Sequence, residues 1–162
     1  MTETELLVAG YRMARQMVHR MCDDLTPEEF QHQPVAGANS AAWVVGHLAV
    51  TCRRTAERLG ASDLPHLTES QIRQFSVTQQ LAGEQRGLGD KAELLALLDA
   101  AIEKVMDGLR KLPAAALEGP APNPGPFATN YAEAVLFGGM HIAMHCGQLS
   151  TIRRSLGKPP LG

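Results

Sequence analysis

Aromatic side chains make up only 4% of the 162 residues, so Leu, Ala, Val and Met must fill the interior. That composition favours packed helices over a β-sandwich. Cysteine is scarcer still. Cys22, Cys52 and Cys146 are odd in number and show no CxxC spacing, which speaks against a disulfide framework and for reduced thiols in a cytoplasmic protein. The formal net charge is -2 and no arginine-rich tract occurs, so there is no basic excess with which to neutralise a phosphate backbone and nucleic acid is not an expected partner. No segment is long and apolar enough to span a membrane. The opening MTETELLVAGYRMARQ mixes acids and bases among its apolar positions, unlike a secretory signal. Strand-like alternation bounded by hairpin turns is absent, as is any fixed-period repeat.

What is present suits one all-α domain over residues 1–162, with 44% apolar and 20% charged residues. Thr2 followed by Glu5 is a capping-box pattern, and Leu6, Leu7, Met13, Met17, Val18 and Met21 recur at helical spacing, predicting a first helix that ends near Asp23. TPEEF predicts a short helical turn capped by Thr26. Asn39 or Ser40 can cap a second helix that runs to Gly60. Residues 61–89, with Pro65 and glycines at 83, 87 and 89, read as a long connection holding at most one short helix. Asp90 and Glu93 announce a third helix closed by Pro113. GPAPNPGPFATN, with four prolines and two glycines, predicts an ordered loop or lid. A fourth helix follows Thr129 or Asn130 and runs to Leu156, where Arg153, Arg154 and Lys158 suit its negative end. Four apolar stripes pack most simply as an antiparallel four-helix bundle with a long connection between the second and third helices, and such bundles place metal sites on facing helices.

Three histidines fall on those stripes. His141 and His145 lie four apart on the fourth helix and so point the same way one turn apart, close enough for one ion to reach both. An HxxxH pair alone fits equally a core pair donating to carbonyls or a solvated face. His47, among Trp43, Val44, Leu48 and Val50 on the second helix, adds a third imidazole with buried neighbours. Three neutral imidazoles suit a borderline divalent ion with positions left open. His19, His32 and His66 fit less well and are left outside the set.

NSAAWVVGHL in the second helix and HIAMHCGQLSTIRRSLGKPP in the fourth resemble the DinB-like superfamily of metal-binding four-helix bundles, in which a helix histidine is followed much later by HxxxHxGQ and a closing LGxPP. That superfamily includes bacterial thiol-dependent S-transferases and mycothiol-dependent isomerases. The resemblance, which extends from near residue 3 to residue 160, implies that His47, His141 and His145 form the metal triad, with Gln148 in the same motif. It also implies an enzyme that binds a low-molecular-weight thiol and transfers or adds it to an electrophilic small-molecule substrate. A metal-dependent hydrolase using bound hydroxide, and a non-catalytic, metal-stabilised stress-response or interaction protein, are the alternatives. Zinc is the first expectation for the ion, with nickel, iron or manganese open on an imidazole donor set. A homodimer is common in similar proteins, yet no exposed apolar stripe separates from the core stripes in the sequence.

The remaining candidates carry less. Cys146 is rotated by about 100° from His145 and reads, with Cys22 and Cys52, as a small packing residue. Gly138 and Gly139 each cost a helix about 1 kcal/mol against Ala, which close approach of another helix or room beside the metal would explain. Arg54, seven after His47, lies near the same face two turns away and could meet a carboxylate. Glu57 and Glu133 lie about 80° off the histidine rows and read as solvated.

Overall fold

Capping sets the helix boundaries. In a computed structural model, which describes residues 1–76, 87–121 and 126–160, Thr2 accepts from the Glu5 amide and Glu5 reaches back to the Thr2 amide, starting α1 (Glu3–Cys22). The same reciprocal pairing of Thr26 with Glu29 starts α2 (Pro27–Phe30). Ser40 caps α3 (Ala41–Arg58), Thr68 caps α4 (Glu69–Gln74), and Asp90 caps α5 (Lys91–Lys111). Asn130 caps α7 (Tyr131–Ser155), while the four-residue α6 (Ala114–Leu117), which the sequence reading did not anticipate, follows Pro113. All regular structure among the described residues is helical. Residues 77–86 of the long connection, Gly83 included, and residues 122–125 of the Pro-rich segment lie outside the described residues.

The four long helices close a ring in which α1 packs on α5 and α7, and α3 packs on the same two. Their directions differ from the expected antiparallel bundle. His19 meets Asp99 at 2.8 Å and Arg15 pairs with Glu103, so α1 and α5 are antiparallel. Tyr11 donates to the Val135 carbonyl and, ten residues on, Arg153 donates to the Met21 carbonyl, so α1 and α7 run parallel. The Gly138 backbone lies beside Thr55, whereas the histidines further along α7 meet His47, further back along α3. Hence α3 is antiparallel to α7 and parallel to α5. A parallel neighbour cannot be reached by a short turn, which is the physical reason for the long segment between α3 and α5.

Packing explains one of the two adjacent glycines in α7. A Cβ on Gly138 would fall 2.1 Å from the Tyr11 hydroxyl oxygen, which burial surrounds completely and whose proton goes to Val135. Gly139 differs, since a Cβ there would sit 3.8 Å from the Tyr11 ring, an ordinary contact. At the far end Arg153, buried, donates to Met21 and Asp24, fixing α7 against the end of α1; the guanidinium holds the Asp24 carboxyl below the usual carboxylate range. The apolar residues of α1 divide into two stripes. Leu7, Tyr11, Ala14, Val18 and Cys22 are buried, but Leu6, Met13 and Met17 are exposed.

Gly138→Ala should therefore destabilise the protein by about 1–3 kcal/mol through overpacking, whereas Gly139→Ala should be neutral or stabilising by up to about 1 kcal/mol through helix propensity. Urea unfolding of the two variants checks both. In the double variant with Tyr11→Phe, which removes the clashing oxygen, the two effects should be less than additive.

Candidate metal centre

α3 and α7 bring His47, His141 and His145 together, with one nitrogen from each ring lying within 4.8 Å of the others. The His47 ring stands 5.3 Å from that of His141 and 4.9 Å from that of His145, centroid to centroid. His141 and His145 approach Nε2 to Nε2 at 3.1 Å, close to the roughly 3.4 Å that separates two ring nitrogens on one tetrahedral ion. Among the described residues no cysteine, aspartate or glutamate joins this group.

His47 is pinned from three sides. Its Nδ1 lies 2.8 Å from the Phe75 carbonyl oxygen, which can only accept, so the ring proton sits on Nδ1. Trp43, one turn earlier on α3, stacks on the imidazole at 4.8 Å with the planes 6° apart, and donates its own Nε1–H to the Gln74 carbonyl. Phe75 in turn fits against Gly46, where a Cβ would lie 2.3 Å from its ring. The stretch after α4 is thereby seated on α3 beside the histidine. The remaining nitrogen, Nε2, is a bare lone pair, buried and without a hydrogen-bond partner. Leaving such an acceptor unsatisfied costs about 1–3 kcal/mol.

His145 is oriented in the same sense. Its Nδ1 lies 3.1 Å from Gln148 Oε1, an oxygen that also accepts from Asn39, which makes Nδ1 the donor and leaves Nε2 bare. His141 is set by stacking instead, against Phe137 at 6.3 Å. Its Nε2 lies 3.1 Å from the bare Nε2 of His145 and so donates to it in this structure; with the proton moved to Nδ1, His141 would offer a third lone pair. Histidines that hold a metal ordinarily donate their other ring proton to a carbonyl or similar acceptor, and two of the three do so here. The donor set thus fits a divalent ion, and the orphaned Nε2 of His47 is the atom most in need of a partner.

Burial lowers the basicity of all three rings. His47 and His141 are pushed below the ordinary histidine value by desolvation first, and His145 to about 4 by desolvation and then by its two neighbours. Neutral imidazole is the form that can ligate.

The other singled-out residues lie elsewhere. His19 bridges to Asp99 across α1 and α5, His32 meets Ser155 Oγ at 3.0 Å, and His66 is exposed. All three cysteines are buried, and burial raises Cys22 and Cys52 to about 12 and Cys146 to about 11. Glu57 is exposed, and Glu133 accepts from the Thr129 amide ahead of α7. Arg54 is exposed, with its guanidinium 3.4 Å from Ser76 Oγ. The sequence reading missed Phe137, which stacks at 5.2 Å on the exposed Phe127 at the end of the Pro-rich segment and continues the aromatic wall from His141 outward.

The sequence pattern of the DinB superfamily matches residues 11–149. The chain belongs to the DinB superfamily. The crystal structure of a conserved protein from Enterococcus faecalis shares the fold, with a TM-score of 0.77 at 18% identity over 98% of this chain and 99% of that one. No curated protein matches the chain. Among the described residues no helix is long and apolar enough to cross a membrane.

Two outcomes are expected. In metal-free protein the unfolded chain binds more protons than the folded one between about pH 6.5 and 4, because the folded rings are less basic. Stability is therefore full above that range and declines as pH falls through it, as urea midpoints on chelator-treated protein will show, with a shallower decline in His145→Gln. Gly46→Ala should displace Phe75, release the His47 ring and weaken cobalt binding by about 10–100-fold in calorimetric titration.

Proposed function

We propose that the chain is a metal-dependent enzyme in which His47, His141 and His145 hold a divalent ion, and that it activates a low-molecular-weight thiol for transfer to an electrophilic small molecule. The observation that carries this reading is the buried, unpartnered Nε2 of His47 facing two further imidazoles. Zinc is the first expectation, and the imidazole donors admit nickel, iron or manganese as well. A divalent ion bound there supplies Lewis acidity, favouring the ionised form of a thiol near neutral pH.

The chain's own residues account for the remainder. Phe75 and Gln148 keep the ring protons of His47 and His145 away from the centre, so both lone pairs stay available. No protein thiol competes as nucleophile, because burial holds Cys22, Cys52 and Cys146 protonated. The sulfur must come from outside. Phe137 and Phe127, the latter 73% exposed, form an apolar wall from His141 to the surface that excludes water on one side and offers a stacking surface to an organic substrate. Arg54 shares the His47 face of α3, where its guanidinium lies 3.4 Å from the Ser76 hydroxyl and its positive charge suits an anionic group of thiol or electrophile. In the transfer the sulfur forms the new bond to carbon, the electrophile's leaving group departs with the bonding pair, and the thiol proton passes to solvent.

Protein purified without chelator or affinity metal should contain close to one equivalent of a divalent metal. Replaced by cobalt, it should develop a sulfur-to-metal charge-transfer band and release protons when cysteine, glutathione or N-acetylcysteine is added. His145→Ala should lose tight metal binding yet remain helical and unfold cooperatively. Optical silence across the thiols combined with ester hydrolysis that is lost in His47→Ala would replace the transferase reading with a hydrolase. Loss of stable helix in His145→Ala would make the ion structural.

A further inference from the structure

One layer beyond the three histidines, toward the C-terminal end of α3, the facing helices carry an arginine and a phenylalanine that the core does not use. Arg54 lies seven residues after His47, about 20° from the same row and about 10 Å along the helix. Phe137 lies four before His141, on the histidine row of α7. Because α3 and α7 are antiparallel, the two positions fall on one level. Thr55 lies beside Gly138, and further out Tyr131 donates to the Arg58 carbonyl at 2.8 Å, which sets Arg54 and Phe137 opposite one another. Side chains lean toward the N-terminus of their helix, so Arg54 leans back toward His47. Its guanidinium, 3.4 Å from Ser76 Oγ, stands beside the residue that follows Phe75, whose carbonyl holds the His47 ring. On the other side Phe137 and Phe127 step outward from His141, successive planes 25 and 29° apart. Arg54 and Phe127 are exposed, so the layer opens to solvent, whereas Trp43 fills the opposite direction along α3.

We propose that this layer is a subsite for an aromatic carboxylate, which lays its ring along Phe137 and Phe127 and pairs its anionic group with Arg54. The proposal rests on the reading above, since the bound anion is then the electrophile that the thiol attacks. Level is the first argument. The aromatic wall and the guanidinium face each other across one cleft, so a single planar molecule meets both, and its end remote from Arg54 points toward the histidines. Donor shape is the second, because a guanidinium is a flat fork that matches a carboxylate in two parallel hydrogen bonds, and its plane can lie in that of an aryl carboxylate. The third is division of labour. A small aliphatic thiol has no ring to lay on the wall, so its place is at the histidines and the aromatic anion's place is one layer out.

Calorimetric titration of the full chain, without thiol, compares 4-chloro-3-nitrobenzoate with its uncharged amide, 4-chloro-3-nitrobenzamide. The acid should bind about 10-fold more tightly. Arg54→Gln should abolish that preference, Arg54→Lys should retain part of it because the charge stays without the fork, and both should keep the helical circular dichroism of the wild type. Phe137→Leu should weaken acid and amide alike by about 5-fold. Arg12→Gln, at an exposed arginine of α1, should change neither. The preference should also persist in chelator-treated protein, which separates pairing with Arg54 from coordination of the carboxylate by an ion. When a thiol is then added, its sulfur bonds to the ring carbon that carries chlorine, chloride leaves with the bonding pair and the thiol proton passes to solvent. Arg54→Gln should raise KM for the acid and leave KM for the amide unchanged. Equal affinity for acid and amide overturns the proposal, as does a preference that survives Arg54→Gln or disappears with chelator. Acid preference without a sulfur-to-metal band in the cobalt protein overturns the thiol reading alone.

Discussion

The hydrogen bond from His47 Nδ1–H to the Phe75 carbonyl is the constraint on which the centre depends. It fixes the tautomer, and the tautomer decides that a lone pair faces the other two rings. It also ties a loop to a helix. Phe75 can reach that position only because residue 46 lacks a side chain, and Trp43 then closes the other face of the imidazole. Change any of these and the ring can rotate, which would return Nε2 to solvent or to a carbonyl and leave the arrangement chemically ordinary.

Bundle topology supplies the loop. Since α3 and α5 run in parallel, the chain must travel the length of the bundle between them, and part of that return path, α4 and Phe75, lies along α3 beside the histidine. Arg53 donates to the Pro65 carbonyl on the same path at 3.3 Å. A connection required by geometry is thus also the outer support of the site. Neutral rings in an apolar wall complete the picture, since desolvation keeps them uncharged where a solvated trio would protonate in mild acid.

Much of this was legible in the sequence because it is local. Thr2, Ser40, Asp90 and Asn130 cap the four long helices as their residue types suggest, and the four-residue spacing of His141 and His145 needed only helical geometry to interpret. Direction was not legible, since an amphipathic stripe carries no sign for up or down, so the parallel pairs were missed. The Phe75 carbonyl was equally hidden, because any backbone could have served as acceptor. Gly138 and Gly139 looked alike in the sequence, and only the position of the Tyr11 hydroxyl distinguishes them. The exposed stripe on α1 was invisible for a related reason. Leu6, Met13 and Met17 interleave with Leu7, Ala14 and Val18, and the two faces separate only once the neighbours of α1 are placed.

Placing two of the three imidazoles on the last helix has a consequence for biosynthesis. As the chain leaves the ribosome, His47 emerges before His141 and His145, with Trp43 and Phe75 available to dock against it while α7 is still to be made. A nascent chain that has grown only as far as α5 therefore presents one of the three clustered imidazoles and lacks the other two. The three-imidazole cluster can therefore form only once α7 has packed against α3.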